Sequence, residues 1–385
     1  MVLFYHTFLP YIFTMSHHVV IRTKQRTLFK CNVSNSLNTF VKSLHSNQTQ
    51  FGIDISNLFL DRTVHTVLAA ALTQSGKTGS MLAAINSFIT QPELALPIDN
   101  VFIITGHSSN DWVLQTRQRF PSFMANNIIH RNSLKSFISK VKNLSNVLVF
   151  IDETQIASLK DQSIHKAFSA AGLSEKELYK RDIKFVLVSA TPNSCIKRFV
   201  PKRIGFAIST MQPGVGYTSV FDLLSTKRVF QYKDLCGYDI LSKKINPQAF
   251  SNVLEIKPLL GTIPKWHIIR THHSFLQDIT VNHFKKAFGG CSFILNPSDF
   301  AFLSSPPPLH SFIFIKERLR CASTIHKDHL GILYERFSKK VSHSAIIQGL
   351  AGRITGYYSS SPLVFTNVPS ILRYQDFWDD FGISF

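Results

Sequence analysis

The feature that most constrains the fold of this chain is a set of short, nearly unbroken apolar runs. In the first half they are "HTVLAAAL", "NVFIITG", "NVLVFIDE" and "IKFVLVSAT". A strand with one face in water alternates apolar and polar residues. A strand buried on both faces reads as a continuous apolar run, and these do. Between them, "SMLAAINSFI" and "SSNDWVLQTRQRF" carry helical spacing. Strand, helix and strand in alternation predict a mainly parallel sheet with helices on both faces. A second series follows: "WHIIRTHH", "CSFILN", "HSFIFIKE", "SAIIQ" and "PLVFTN", with "ITVNHFKKAF" and "HKDHLGILYERFSKK" read as helical. "ISTMQPGVGYTS" between the two series reads as a linker, and "LSSPPPLHS" as a rigid surface loop. The expectation is an α/β chain of two tandem domains, residues 56–205 and 206–385. Residues 1–55 form an extension that fits neither. A length of 385 residues suits two cores.

The first run ends in "ALTQSGKT", residues 71–78. A phosphate cradle needs inward-facing backbone N–H groups, a helix N-terminus behind them, a lysine for the phosphates and a hydroxyl for Mg²⁺. Gln74, Ser75, Gly76 and Gly79 supply the loop, Lys77 the cation and Thr78 the hydroxyl. Ala71 stands where the stricter pattern has glycine. The competing reading is a polar turn with an exposed lysine.

Three further stretches bear on that choice. Asp152 and Glu153 end the apolar run "NVLVFIDE", at the strand edge where open α/β sheets bind ligands. One carboxylate there can hold Mg²⁺ and the other can activate water. Ser189 and Thr191 end "FVLVSAT" and can hydrogen-bond the acidic loop. Near the C-terminus, "SAIIQGLAGRITGYY" places Gln348 and Arg353 in a Gly-punctuated segment. An arginine reaching across a cleft can stabilise charge on a terminal phosphate.

Composition narrows the partners. Only 17% of residues are charged, yet the formal net charge is +19. A chain this basic suits a polyanion, above all nucleic acid. Its five cysteines are scattered, without a Cys-x-x-Cys pair. That pattern suggests neither a zinc ribbon nor a disulfide framework, and fits a reducing, intracellular setting. The histidine pairs His17-His18 and His272-His273 lack partners at ligand spacing. The apolar start, "MVLFYHTFLPYIFTMSHH", contains Pro10 and is too short to span a bilayer. It reads as a buried strand or packing arm, and no membrane association is expected.

In this order the motifs resemble those of superfamily 2 helicases. "AALTQSGKT" resembles motif I, "IITGHSSNDWVLQT" motif Ia, "IDETQ" motif II and "SATP" motif III. "IFIKERLRCAST" and "IIQGLAGRITGY" stand where motifs V and VI belong, in a style similar to helicase-like proteins of large DNA viruses and phages. The resemblance spans residues 60–370. It implies tandem RecA-like domains with the nucleotide site between them, ATP and Mg²⁺ as cofactors, and ATP-driven movement along or unwinding of DNA or RNA, DNA favoured. A larger replication or transcription complex is a further implied setting, in a host cell or virion.

By the same resemblance, Gln74, Ser75, Gly76, Lys77, Thr78, Gly79, Asp152 and Gln348 would bind nucleotide, with Thr78 and Asp152 on the metal. Glu153, Lys77 and Arg353 would be catalytic, and Gln155, Ser189 and Thr191 would couple hydrolysis to movement. Thr105, Gly106, His107 and Thr116, then Arg270 and Thr271, would grip the polymer. Two departures stand out. Gln155 replaces the commoner His or Asp, and motif VI carries one arginine rather than two. Lys316, Arg318 and Arg320 are candidate substitutes. The lone arginine keeps open a helicase-like nucleic-acid-binding subunit with weak or no hydrolysis. A different P-loop enzyme, such as a kinase, fits the tandem halves less well.

Overall fold

The computed structural model describes residues 37, 39–105, 110–153, 163–192, 196, 205–319, 324–358, 360 and 362–380. The expected reading of residues 1–18 as a strand or arm lies outside them.

Two six-stranded, all-parallel sheets form the frame. The first contains β1 (Thr66–Ala70), β2 (Val101–Thr105), β3 (Ile128–His130), β4 (Val147–Asp152), β5 (Ile183–Ser189) and β6 (Phe206–Thr210), in the order β3-β2-β4-β5-β1-β6. Its central runs are mostly apolar because successive side chains enter different cores. Leu148, Phe150, Val186 and Val188 pack on one face with Val67 and Ala69. Val149, Ile151, Phe185 and Leu187 pack on the other with Leu68.

A short antiparallel pair joins β7 (Tyr217–Thr218) to a strand near the C-terminus. The second sheet contains β8 (Val229–Gln231), β9 (Trp266–Arg270), β10 (Ser292–Leu295), β11 (Ser311–Ile315), β12 (Leu330–Tyr334) and β14 (Leu363–Thr366). Their order is β10-β11-β9-β12-β14-β8, and β13 (Gly356–Tyr357) is the partner of β7.

Four details differ from the sequence reading. "SAIIQ" is not a strand: His343–Ile347 is helical, burying Ile346 and Ile347 on one side. Leu330–Tyr334 is not helical but a central strand, buried at every position. Runs this short cannot distinguish these cases locally; for Leu330–Tyr334, pairing between β9 and β14 decides. The stretch read as a linker begins inside β6, which pairs with β1 and extends the first sheet to Thr210. The helix Ser46–Leu58 crosses the expected boundary at residue 55 and packs on the helix Lys77–Thr90. Its Gly52 permits that contact: a Cβ there would lie 2.4 Å from Ala83 Cβ and 2.6 Å from Ala84 N.

Within the second sheet, His267 is 1% exposed. Its Nδ1 accepts from Ile332 N at 3.1 Å, and its Nε2 lies 2.9 Å from His310 Nδ1. Gly331 makes room for the ring, since a Cβ there would lie 2.5 Å from His267 Cε1. Burial, then the charges of His310 and Lys265, push its pKa down from 6.5 to about 3. The folded state therefore holds His267 neutral. Below the ordinary value the unfolded chain takes up a proton that the folded chain refuses. This stability contribution is present above pH 6.5 and lost as pH falls from 6.5 towards 3, at up to about 1.4 kcal/mol per pH unit. Urea unfolding should give a midpoint that drops between pH 7 and pH 5 in the wild type, and less steeply in His267→Gln. Equal slopes would remove His267 as the cause.

Candidate nucleotide site

The register of the first sheet brings three loops side by side. Ala70 pairs with Ser189, and Val188 with Asp152. The segments that follow β1, β4 and β5 therefore leave one sheet edge together.

The loop after β1 closes over its own backbone. Ser75 Oγ donates to Leu72 O at 2.8 Å, and Lys77 Nζ donates to the same oxygen at 2.9 Å. Gly76 caps the helix Lys77–Thr90 with φ 106°, in the left-handed region that a side chain disfavours. Gly79 N donates to Gly76 O at 2.9 Å, within the first helical turn. Gln74 has φ 55° without being glycine, and Glu153, at the end of β4, has φ 53°. Left-handed backbone at two non-glycine positions on facing loops is the kind of strain that clusters at functional sites.

Asp152 is 8% exposed. Its Oδ2 accepts from Trp112 Nε1 at 3.0 Å and its Oδ1 from Glu153 N at 3.1 Å. Burial first, then the Glu153 carboxylate, push its pKa up to about 6, against the opposing charge of Lys77. Glu153 Oε2 accepts from Gln348 Nε2 at 2.8 Å, and the same nitrogen donates to Thr191 Oγ1 at 3.2 Å. Ser189 Oγ accepts from Thr191 N at 3.1 Å, fixing the turn after β5. One amide of the second domain thus touches both the acidic loop and the Ser-Ala-Thr loop of the first.

Further contacts fasten the second domain to the phosphate loop. Tyr217 Oη and Thr355 Oγ1 donate to Thr73 O at 2.5 and 2.9 Å. Gln74 Nε2 donates to Arg353 O at 3.2 Å, and Lys327 Nζ donates to Gln74 Oε1 at 2.6 Å. Gln348 and Arg353 are both 4% exposed. Glu335 anchors the segment between them: its Oε2 accepts from the N–H of Leu350, the first residue of the short helix Leu350–Arg353, at 3.1 Å.

These elements enclose a cavity of about 380 Å³, within the range of small-ligand sites. Gln74, Gly76, Lys77, Thr78, Asp152, Glu153 and Arg353 line it, together with Lys327 and Tyr357. The donor set fits a nucleoside triphosphate with Mg²⁺. Cations from both domains face one space, and Thr78 and Asp152 offer hard oxygen donors. Among the described residues no three His, Cys, Asp or Glu side chains form a metal cage. Mg²⁺ needs none, since it is commonly held by one or two carboxylates plus phosphate oxygens.

Other candidates fall elsewhere. Gly106, His107, Gln155 and Arg320 lie outside the described residues. Thr105 is 0% exposed and pairs with Asp152 inside the sheet. Thr116 is buried on the cavity wall. Arg270 does not point outward: its Nε lies 2.7 Å from Glu335 Oε1, and its terminal nitrogens donate to the carbonyls of Lys316, Arg318 and Leu319. Thr271 is buried, with Oγ1 donating to Ile315 O at 3.2 Å. An exposed side-chain grip on a polymer is therefore not built from Thr105, Arg270 or Thr271. Lys316 and Arg318 are not among the cavity-lining residues, and Arg318 instead sits 5.7 Å over the Phe300 ring. Trp112, Thr355, Tyr217 and Lys327 were missed in the sequence because no local spacing connects them to the loops they touch.

No protein-family model and no curated protein matches the chain. Among solved structures it is similar to S. cerevisiae Dbp5 bound to RNA and ADP BeF3, at TM-score 0.50 and 14% identity. That match covers 88% of this chain and 92% of that one. It is also similar to RecG bound to a three-way DNA junction, at TM-score 0.45 and 12% identity, covering 88% of this chain and 46% of that one. A third similar structure, an XPD helicase, has TM-score 0.43 and 6% identity, covering 89% of this chain and 99% of that one. The first reaches 0.50, and at 14% identity it establishes fold alone. The fold is two tandem RecA-like domains, as the sequence led us to expect.

Proposed function

We propose that the chain hydrolyses ATP and uses the cycle to move along, or unwind, DNA or RNA. The observation that carries the reading is the shared cavity. Lys77, Thr78, Asp152 and Glu153 enter it from the first domain and Arg353 from the second. A site divided between two domains couples what it binds to how the domains sit.

In this mechanism Lys77 exchanges Leu72 O for the β- and γ-phosphate oxygens. Thr78 and Asp152 would hold Mg²⁺, which would supply charge neutralisation for the phosphates. Glu153 orients the attacking water and accepts its proton, while Arg353 balances the charge growing on the γ-phosphate. Gln348 bridges Glu153 and Thr191. It would sense the state of both loops and pass it to the second domain.

The net charge of +19 supports a polyanionic track. Contacts mainly to the backbone would give low sequence preference and strong salt dependence. Dbp5 was solved with RNA and RecG with a DNA junction. For this chain we propose DNA as the favoured polymer and a larger replication or transcription complex as the setting. Among the described residues no helix is long and apolar enough to cross a membrane.

The test is ATP turnover by the purified chain, alone and with single-stranded DNA, single-stranded RNA or duplex, beside Lys77→Ala. One polymer should raise turnover, and Lys77→Ala should abolish it. Turnover that survives Lys77→Ala would sink the proposal. The second reading, a nucleic-acid-binding subunit with weak or no hydrolysis, is favoured by the single arginine of the Gly-Arg segment. It predicts salt-sensitive polymer binding with no turnover under any of these conditions.

A further inference from the structure

Lys327 lies between β11 and β12, outside every motif that the sequence singled out. It lines the same cavity as Lys77, Asp152, Glu153 and Arg353. Its Nζ donates to Gln74 Oε1 at 2.6 Å and to Thr355 O, and it lies 4.9 Å from the centroid of the Tyr358 ring. Both acceptors are neutral oxygens, one from each domain. Burial, followed by the positive charge of Arg353, lowers its pKa from 10.5 to about 8, with Asp328 opposing. Gly356 keeps the approach open: it has φ 110°, and a Cβ there would lie 3.1 Å from Lys327 Nζ.

Two cations on one wall, close enough to repel and partly stripped of water, are costly by themselves. An anion between them and the phosphate loop removes that cost. Lys316 and Arg318 do not line this space, and among the described residues Lys327 is the second-domain cation that lines it beside Arg353.

We propose that Lys327 contacts the terminal phosphate of a bound nucleoside triphosphate, exchanging Gln74 Oε1 for it when the cavity fills. This rests on the reading of the chain as an ATP hydrolase. A doubly charged phosphate oxygen group outcompetes a neutral amide for an ammonium donor. The contact gives the second domain a means of distinguishing triphosphate from diphosphate, a task for which Arg353 is the one arginine in its segment.

The experiment measures affinity for ATP and for ADP with a fluorescent nucleotide probe, in a Glu153→Gln background that suppresses hydrolysis. Lys327→Ala should weaken ATP at least about tenfold and leave ADP within about twofold, and Lys327→Arg should recover most of the loss. In the otherwise wild-type chain, Lys327→Ala should also lower kcat. Equal weakening of ATP and ADP, as expected if Lys327 merely latches Gln74 to Thr355, overturns the proposal. So does an unchanged ATP to ADP ratio. Should Lys327→Ala lower the melting temperature sharply, Lys327→Met keeps the aliphatic stem, and the same ratio decides. A wild type that binds neither nucleotide, indistinguishable from Lys77→Ala, overturns the hydrolase reading as well. A wild type that hydrolyses ATP with Lys327 inert overturns this inference alone.

Discussion

Glu153→Gln is expected to cut nucleic-acid-stimulated ATP turnover by about 10²–10⁴-fold, the usual scale for losing a general base. ATP affinity should change by no more than about threefold. The substitution is close to isosteric, and a glutamine Oε1 can still accept from Gln348 Nε2, now 2.8 Å from Glu153 Oε2. Lys77 and Asp152 remain in place. What is lost is the capacity to take the water proton. Single-turnover hydrolysis beside equilibrium ATP binding separates the two. Turnover within tenfold of wild type would assign the base elsewhere. A parallel collapse of ATP binding would make Glu153 an organiser of the loop instead.

The second large effect is on stability. Glu335→Ala is expected to cost about 3–5 kcal/mol, because it leaves the Arg270 charge buried without its carboxylate. The Arg270 and Glu335 side chains are 2% and 8% exposed, and their ion pair is 2.7 Å long. Glu335 also accepts from Arg336 N and Leu350 N, each at 3.1 Å, so two backbone donors lose their acceptor. Because Leu350 begins the helix carrying Arg353, turnover should fall with stability. Urea unfolding gives the size of the effect. A paired Arg270→Met, Glu335→Leu variant should recover much of the stability, since apolar replacement of a whole buried pair is often neutral or better. A loss below about 1 kcal/mol in Glu335→Ala would show that the pair is not what holds this corner.

The strands that frame the phosphate loop and the acidic loop were legible in the sequence. A strand buried on both faces reads as a nearly continuous apolar run, and β1, β2, β4 and β5 do, with polar residues mostly at their ends and Lys184 near the start of β5. The chemistry at their ends is contiguous in the chain, so Lys77 with Thr78, and Asp152 with Glu153, could be read as units. Short elements were less legible. Leu330–Tyr334 and His343–Ile347 are five residues each, and their apolar content suits either conformation. Neighbouring elements chose the one that buried it.

The sequence by itself determined the tandem α/β plan, most strands of the first sheet and the loops that could cradle a phosphate, because those depend on side-chain periodicity and adjacent residues. Only the tertiary structure decided which distant side chains complete the cavity. Gln348 meets Glu153 across 195 positions, and Lys327 meets Gln74 across 253. Arg270, expected at a surface, is held under one by Glu335. No local pattern encodes such meetings. They follow from how the loops of the second domain meet those of the first, which the packing of both cores helps to set.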